Sequence, residues 1–220
     1  MTAGAERPAA PRPLLHAAAW WATGLVLVTA ALLLTAPSTR LYLAVAHTRV
    51  EWPDQVADVL VVALTSAVAL QTWRLRRARE RIATAVASGV GVLLAYGTSE
   101  ALKVVLARER PCRAVLPDPQ CPGAGNWSFP SNHSTIAFSL ATALVLLSAS
   151  AWAWSAYLAA IATAASRVVD GVHLPHDTLA GAALGICTTA ALSILLTPHA
   201  LALIEKLARM YERRRGRAHH

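Results

Sequence analysis

Ser166-Arg167-Val168-Val169-Asp170-Gly171-Val172-His173-Leu174-Pro175-His176-Asp177 packs a cation, two imidazoles and two carboxylates into one short stretch. Strongly apolar segments flank it on both sides. Charge of this density is costly inside hydrocarbon, so the stretch reads as a polar connection between two apolar helices. Gly171 suits a tight turn that delivers His173 to a site. Asp177 falls where the following helix begins, a position at which a carboxylate also caps free backbone N–H groups.

The rest of the chain fits that reading. Of 220 residues, 55% are hydrophobic and only 15% charged, whereas a soluble domain of this size carries more charge and shorter apolar runs. Apolar spans read as 14–36, 56–73, 82–106 and 178–197, with one tract from 134 to about 169. A helix over that tract would be roughly 50 Å long, well beyond a bilayer core of ~30 Å, so it must fold back. Ser148, Ser150, Trp152, Trp154 and Ser155 mark the turn, with indoles suited to the membrane interface. The first span is too long for a signal-peptide core and lacks a clean small-residue cleavage site. The expected fold is therefore all-α, a polytopic membrane protein of six transmembrane helices. Residues 1–13 are expected to form a loose cytoplasmic tail, 14–197 one six-helix domain ended by Thr197-Pro198, and 198–220 a basic cytoplasmic tail.

Thirteen of the 20 Lys and Arg residues fall in the N-terminal tail, the 74–81 loop and the C-terminal tail. Six spans put these three regions on one side, and the positive-inside rule makes that side cytoplasmic. The polar stretch at 166–177 then opens on the opposite face. Basic tails beside membrane spans act as topology anchors and contacts for anionic lipid, and no nucleic-acid recognition fold accompanies them. Cys112 and Cys121 share an outer loop and are read either as a disulfide or as free thiols; Cys187 reads as a small buried apolar residue.

Two further stretches carry chemistry. Lys103 and Arg110 are seven residues apart, nearly two helical turns, which places both on one face of a helix that Pro111 then stops. Paired cations at a membrane edge either snorkel to headgroups or bind an anion. Glu100, one turn away, is positioned to pair with Lys103, and Asp170 to steady Arg167 or a substrate headgroup. Arg108 and Arg113 are read as headgroup contacts. Pro130-Ser131-Asn132-His133 opens the next apolar segment, where a helix N-terminus offers free N–H groups and a positive dipole end to a phosphate. The loop 112–129 carries Trp127 and Phe129, read either as lining the interface beside the site or as plain packing of that loop.

In order and spacing the three stretches resemble the signature of the type 2 phosphatidic acid phosphatase superfamily: Lys, six residues, Arg-Pro; Pro-Ser-Gly-His; Ser-Arg, five residues, His, three residues, Asp. Asn132 stands where that signature has Gly; it keeps the backbone N–H and adds a side-chain amide. The resemblance implies that His173 is the nucleophile, forming a phosphohistidine, and that His133 is the general acid. It implies that Asp177 holds the His173 ring, and that Lys103, Arg110, Ser131, Asn132 and Arg167 bind phosphate. His176 has no role in the signature and is read as a loop histidine.

A hydrolytic metal centre is the rival for two His and an Asp. It needs three or four close His, Asp or Glu ligands, and the Lys and Arg residues here would repel a cation. No metal and no cofactor are expected, nor is a nucleotide loop present. The implied substrate is a lipid phosphate in the bilayer, a polyprenyl diphosphate being favoured. Phosphatidylglycerophosphate, phosphatidate and polyprenyl-phosphosugars remain alternatives, as does phosphotransfer to an acceptor other than water. High Ala, Arg and Val content points to a GC-rich bacterial genome, hence to the inner (plasma) membrane with an extracytoplasmic site. The sequence carries no signature of oligomeric state.

Overall fold

The computed structural model describes residues 13–46, 55–148 and 150–217. Nearly all of the expected N-terminal tail and the terminal His219-His220 pair lie outside the described residues. Eight α-helices and one 3-10 helix make up the described chain. They are α1 (Pro13–Leu33), α2 (Thr35–Ala46), α3 (Val56–Arg74), α4 (Arg79–Leu106), α5 (Pro111–Ala114), α6 (Asn132–Ser148), the 3-10 turn Ala151–Ser155, α7 (Ala156–Val169) and α8 (Pro175–Arg217). Four helical stretches are long and apolar enough to cross a membrane: α1, α3, α4 together with α5, and α8. The shorter α6 is also apolar.

The tract from 134 to 169 turns where its Ser and Trp residues cluster. Helix α6 ends at Ser148, the 3-10 turn follows, and α7 begins at Ala156. Trp152 and Trp154 are 52% and 61% exposed, as residues at a wet boundary are.

Helix α8 is the central post. Its apolar window is 67% buried, against 11% to 33% for the other candidate spans. It packs against α4, α1 and α6, while α3 and α7 pack on α6. Small residues allow this approach. A Cβ on Gly185 would lie 2.4 Å from the Thr135 carbonyl oxygen, and one on Gly181 would lie 2.5 Å from that of Ser131. The two glycines are one helical turn apart, the small-xxx-small spacing that lets helices meet backbone to backbone in a membrane. Because Ser131 lies just before His133, this contact also sets the depth of the α6 N-terminus against α8. Across the post, Ser88 of α4 and Ser193 of α8 share a buried 2.8 Å hydrogen bond.

Three expectations are corrected. Thr197-Pro198 does not end the last helix; α8 runs 43 residues with Pro198 inside it. Proline removes one helical N–H bond, which kinks a helix without ending it when both flanks are strong helix formers. The first span stops at Leu33, three residues short of its expected end, and α2 starts at Thr35. Lys103 and Arg110 do not share a helix face: α4 ends at Leu106, with Ala107 in the left-handed region at φ 42°. Arg110 is instead the extended residue before α5, and Pro111 starts that short helix instead of stopping a long one.

Candidate active site

Gly171, at φ +74°, turns the chain from α7 towards α8 and puts His173 into the protein interior. The imidazole is 2% exposed. Arg110 Nη1 donates to its Nε2 at 3.2 Å. Nδ1, on the other side, lies 3.4 Å from Ser128 Oγ, and that hydroxyl donates to Asp177 Oδ2 at 2.5 Å. His173 Nδ1 and Asp177 Oδ2 are themselves 3.6 Å apart, beyond hydrogen-bond reach. The sequence placed Asp177 directly on the ring; the structure inserts a serine between them. With Nδ1–H donating to Ser128, the ring presents its Nε2 lone pair on the Arg110 side. Burial pushes the imidazole pKa down to about 4, with Arg110 and Lys103 adding to the effect and Asp177 opposing it. His173 is thus neutral at pH 7.

Asp177 is fixed by the helix it helps to start. It sits at the third position of α8, and its Oδ2 accepts the Leu174 N–H at 2.8 Å, as an N3 carboxylate reaches back in a capping box. Its carbonyl accepts the Ser131 N–H at 3.0 Å, which ties the α6 and α8 N-termini together.

Arg110 is clamped. Nε donates to the Asn126 carbonyl at 3.0 Å, Nη2 to Asn126 Oδ1 at 2.8 Å and Nη1 to the Val172 carbonyl at 3.0 Å. Lys103 is buried and pairs with Glu100 at 3.7 Å. Glu100 also accepts from Asn132 Nδ2, and Asn132 Oδ1 accepts from Ser99 Oγ at 2.7 Å. The amide that replaces the signature's Gly therefore bridges α6 to the Lys103 segment of α4. Ser131 is fully buried, and its hydroxyl has no hydrogen-bond partner among the described residues. Arg167 pairs with Asp170 at 3.0 Å, as the sequence suggested for Glu100 with Lys103 and Asp170 with Arg167 alike. His133 Nε2 is 2.8 Å from Asp58 Oδ1 on α3.

A cavity of about 250 Å³ lies beside these groups, lined by His133, Arg167, Asp58, Asp170, Val172 and the Cys112–Cys121 loop, among others. Those two cysteines form a disulfide, whereas Cys187 is free and buried. The eight residues picked from sequence thus converge where α4, α6 and α8 meet the α7–α8 connection.

Of the two readings of Phe129, packing holds: it is fully buried against Ala180, Ala183 and Leu184 of α8. Other expectations change. Arg108 is held by protein: it lies over the Phe129 ring at 5.7 Å and donates to Thr35 Oγ1 at 3.1 Å. His176 is 1% exposed in the first turn of α8, with Nε2 3.4 Å from Arg108. Sequence reasoning missed Ser128, Asn126 and Asp58. Only Asp58 carried a signal, as a carboxylate within an apolar span.

Fold and site together define a helical membrane protein with two histidines, three cations and a buried carboxylate gathered at one set of helix ends. The chain belongs to the PAP2 superfamily, whose profile matches residues 84–199. The bacitracin transport permease protein BcrC of Bacillus licheniformis is 36% identical over 87 residues, 39% of this chain and 41% of that one. An undecaprenyl-diphosphatase of Sulfolobus acidocaldarius is 36% identical over 98 residues, 44% of this chain and 47% of that one. The matched segment thus spans less than half the length of either relative. The crystal structure of a transmembrane PAP2-type phosphatidylglycerolphosphate phosphatase from Bacillus subtilis superposes with a TM-score of 0.47 at 23% identity, covering 80% of this chain and 94% of that one.

Proposed function

We propose that this protein is a membrane-embedded lipid phosphatase that removes phosphate from a polyprenyl diphosphate through a phosphohistidine on His173. The observation that carries the reading is the neutral, buried His173 ring, with Nδ1 held by Ser128 and Nε2 facing Arg110. Nε2 attacks phosphorus as the bond to the leaving oxygen breaks, and His133 gives that oxygen its proton. Water then attacks the phosphohistidine and passes a proton to the now neutral His133, which frees phosphate and restores both histidines. Lys103, Arg110 and Arg167, with the α6 N-terminus at Ser131 and Asn132, neutralise the phosphoryl oxygens throughout. Three fixed cations supply the charge that a metal would otherwise bring, so the reaction is metal-independent.

The diphosphate is favoured because one similar protein is an undecaprenyl-diphosphatase. In this reading α1, α3, α4, α6, α7 and α8 are six spans, with both tails and the 74–81 loop cytoplasmic. The site then faces the outer leaflet of the plasma membrane. The test is phosphate release by purified protein from a panel of polyprenyl diphosphate, polyprenyl monophosphate, phosphatidate and phosphatidylglycerophosphate, with and without chelator. Release fastest from the diphosphate and unchanged by chelator is expected. No release from any lipid, or release only on adding a lipid acceptor, would overturn the reading.

A further inference from the structure

Asp58 lies on α3, outside the three stretches that supply the eight site residues read from sequence. It is the third residue of its helix, and its side chain is 68% exposed. The His133 ring that it meets is 33% exposed and comes from the first turn of α6. Their 2.8 Å contact joins Asp58 Oδ1 to His133 Nε2, and both residues line the cavity that holds Arg167. A carboxylate in the first turn of a helix faces the positive end of the helix dipole, and here its side chain also meets a histidine of the site.

We propose that Asp58 is the positioning residue of His133, which rests on the reading of His133 as general acid. The carboxylate accepts a hydrogen bond from Nε2–H of the protonated ring and orients it, so that Nδ1 carries the proton that the leaving oxygen takes. When that oxygen departs from phosphorus it accepts the Nδ1 proton; Nε2 keeps its proton, still hydrogen-bonded to Asp58, and the imidazole is left neutral. Water attacking the phosphohistidine then returns a proton to Nδ1. The site thus holds two histidine–aspartate arrangements of different construction. One is buried and relayed by Ser128; the other is direct and open to the cavity. Helix α3 otherwise contributes packing against α6 and α7, so Asp58 gives it a part in the chemistry.

The experiment is a double-mutant cycle on turnover of the best lipid substrate, using full-length protein in detergent or nanodiscs. If Asp58 acts through His133, Asp58→Asn lowers kcat about ten- to a hundred-fold in the wild-type background, part of the roughly 10²–10⁴-fold that general acid catalysis contributes. In a His133→Ala background the same change costs less than about twofold, since residues acting as a unit are not additive. Asp58→Glu recovers most of the lost rate. Equal losses in both backgrounds would reduce Asp58 to a structural role, and no loss in either would remove it from the mechanism. A wild-type protein inactive on every lipid overturns the phosphatase reading and this one with it. An active wild type with additive losses overturns this one alone.

Discussion

Ser128→Ala tests the relay between His173 and Asp177. Ser128 is 2% exposed and gives its proton to Asp177 Oδ2 at 2.5 Å. Removing the hydroxyl leaves Asp177 Oδ2 with the Leu174 N–H and leaves His173 Nδ1–H without its acceptor. Hydrogen bonds to charged groups contribute about 1.5–3 kcal/mol, and a tenfold rate change corresponds to about 1.4 kcal/mol. If the relay is tighter in the transition state, where the ring gains positive charge, kcat falls roughly ten- to a hundred-fold. The fold survives, because the change removes one oxygen from a small side chain and its neighbours are held by helix capping. The assay is steady-state phosphate release on the best lipid, with thermal unfolding in detergent as the folding control. A kcat within twofold of wild type at unchanged thermal midpoint would show that the serine carries nothing, and that Asp177 reaches the ring by itself during turnover.

Gly185→Ala places a Cβ 2.4 Å from the Thr135 carbonyl and forces α6 and α8 apart, at a cost of about 1–3 kcal/mol. Its thermal midpoint in detergent falls, while that of Gly89→Ala, where a Cβ meets nothing within 4 Å, holds; equal midpoints would refute the close packing. His173, with a pKa of about 4, keeps its lone pair at pH 5.5, so the phosphoenzyme captured by alkaline quench is undiminished there relative to pH 7. Half-loss near pH 6.5 would mean an ordinary, solvated imidazole. A cysteine at Ala124 reacts with a membrane-impermeant maleimide in intact spheroplasts and one at Ala78 does not, the native cysteines having been replaced. The reverse pattern places the site in the cytoplasm.

What the sequence carried well was whatever depends on composition over a helix length. Apolar runs located the long helices but not α2, and the Ser and Trp cluster located the turn between α6 and α7. Charge beside hydrocarbon flagged the site's charged residues, and the resemblance to the superfamily signature gave them their roles. Less legible were features decided by one residue's backbone or by a neighbour distant in sequence. Pro198 stops nothing, since strong helix formers continue on both sides. Arg110 leaves the helix because Ala107, a residue with no sequence signal for it, adopts a left-handed turn. Ser128 looks like any loop serine until the chain brings it between His173 and Asp177, 45 and 49 residues away. Asn132 departs from the signature, and only the packing of α6 on α4 shows its amide bridging to Glu100.

The central claim is that His173 carries the phosphoryl group, and rapid-quench labelling tests it most directly. Purified protein is mixed with lipid diphosphate bearing ³²P on the terminal phosphate and quenched in base within milliseconds, and the modified residue is then mapped. Acid-labile, base-stable label on His173, present in wild type and absent from His173→Ala, is the predicted result. Label on another residue, or undiminished labelling of His173→Ala, would contradict it.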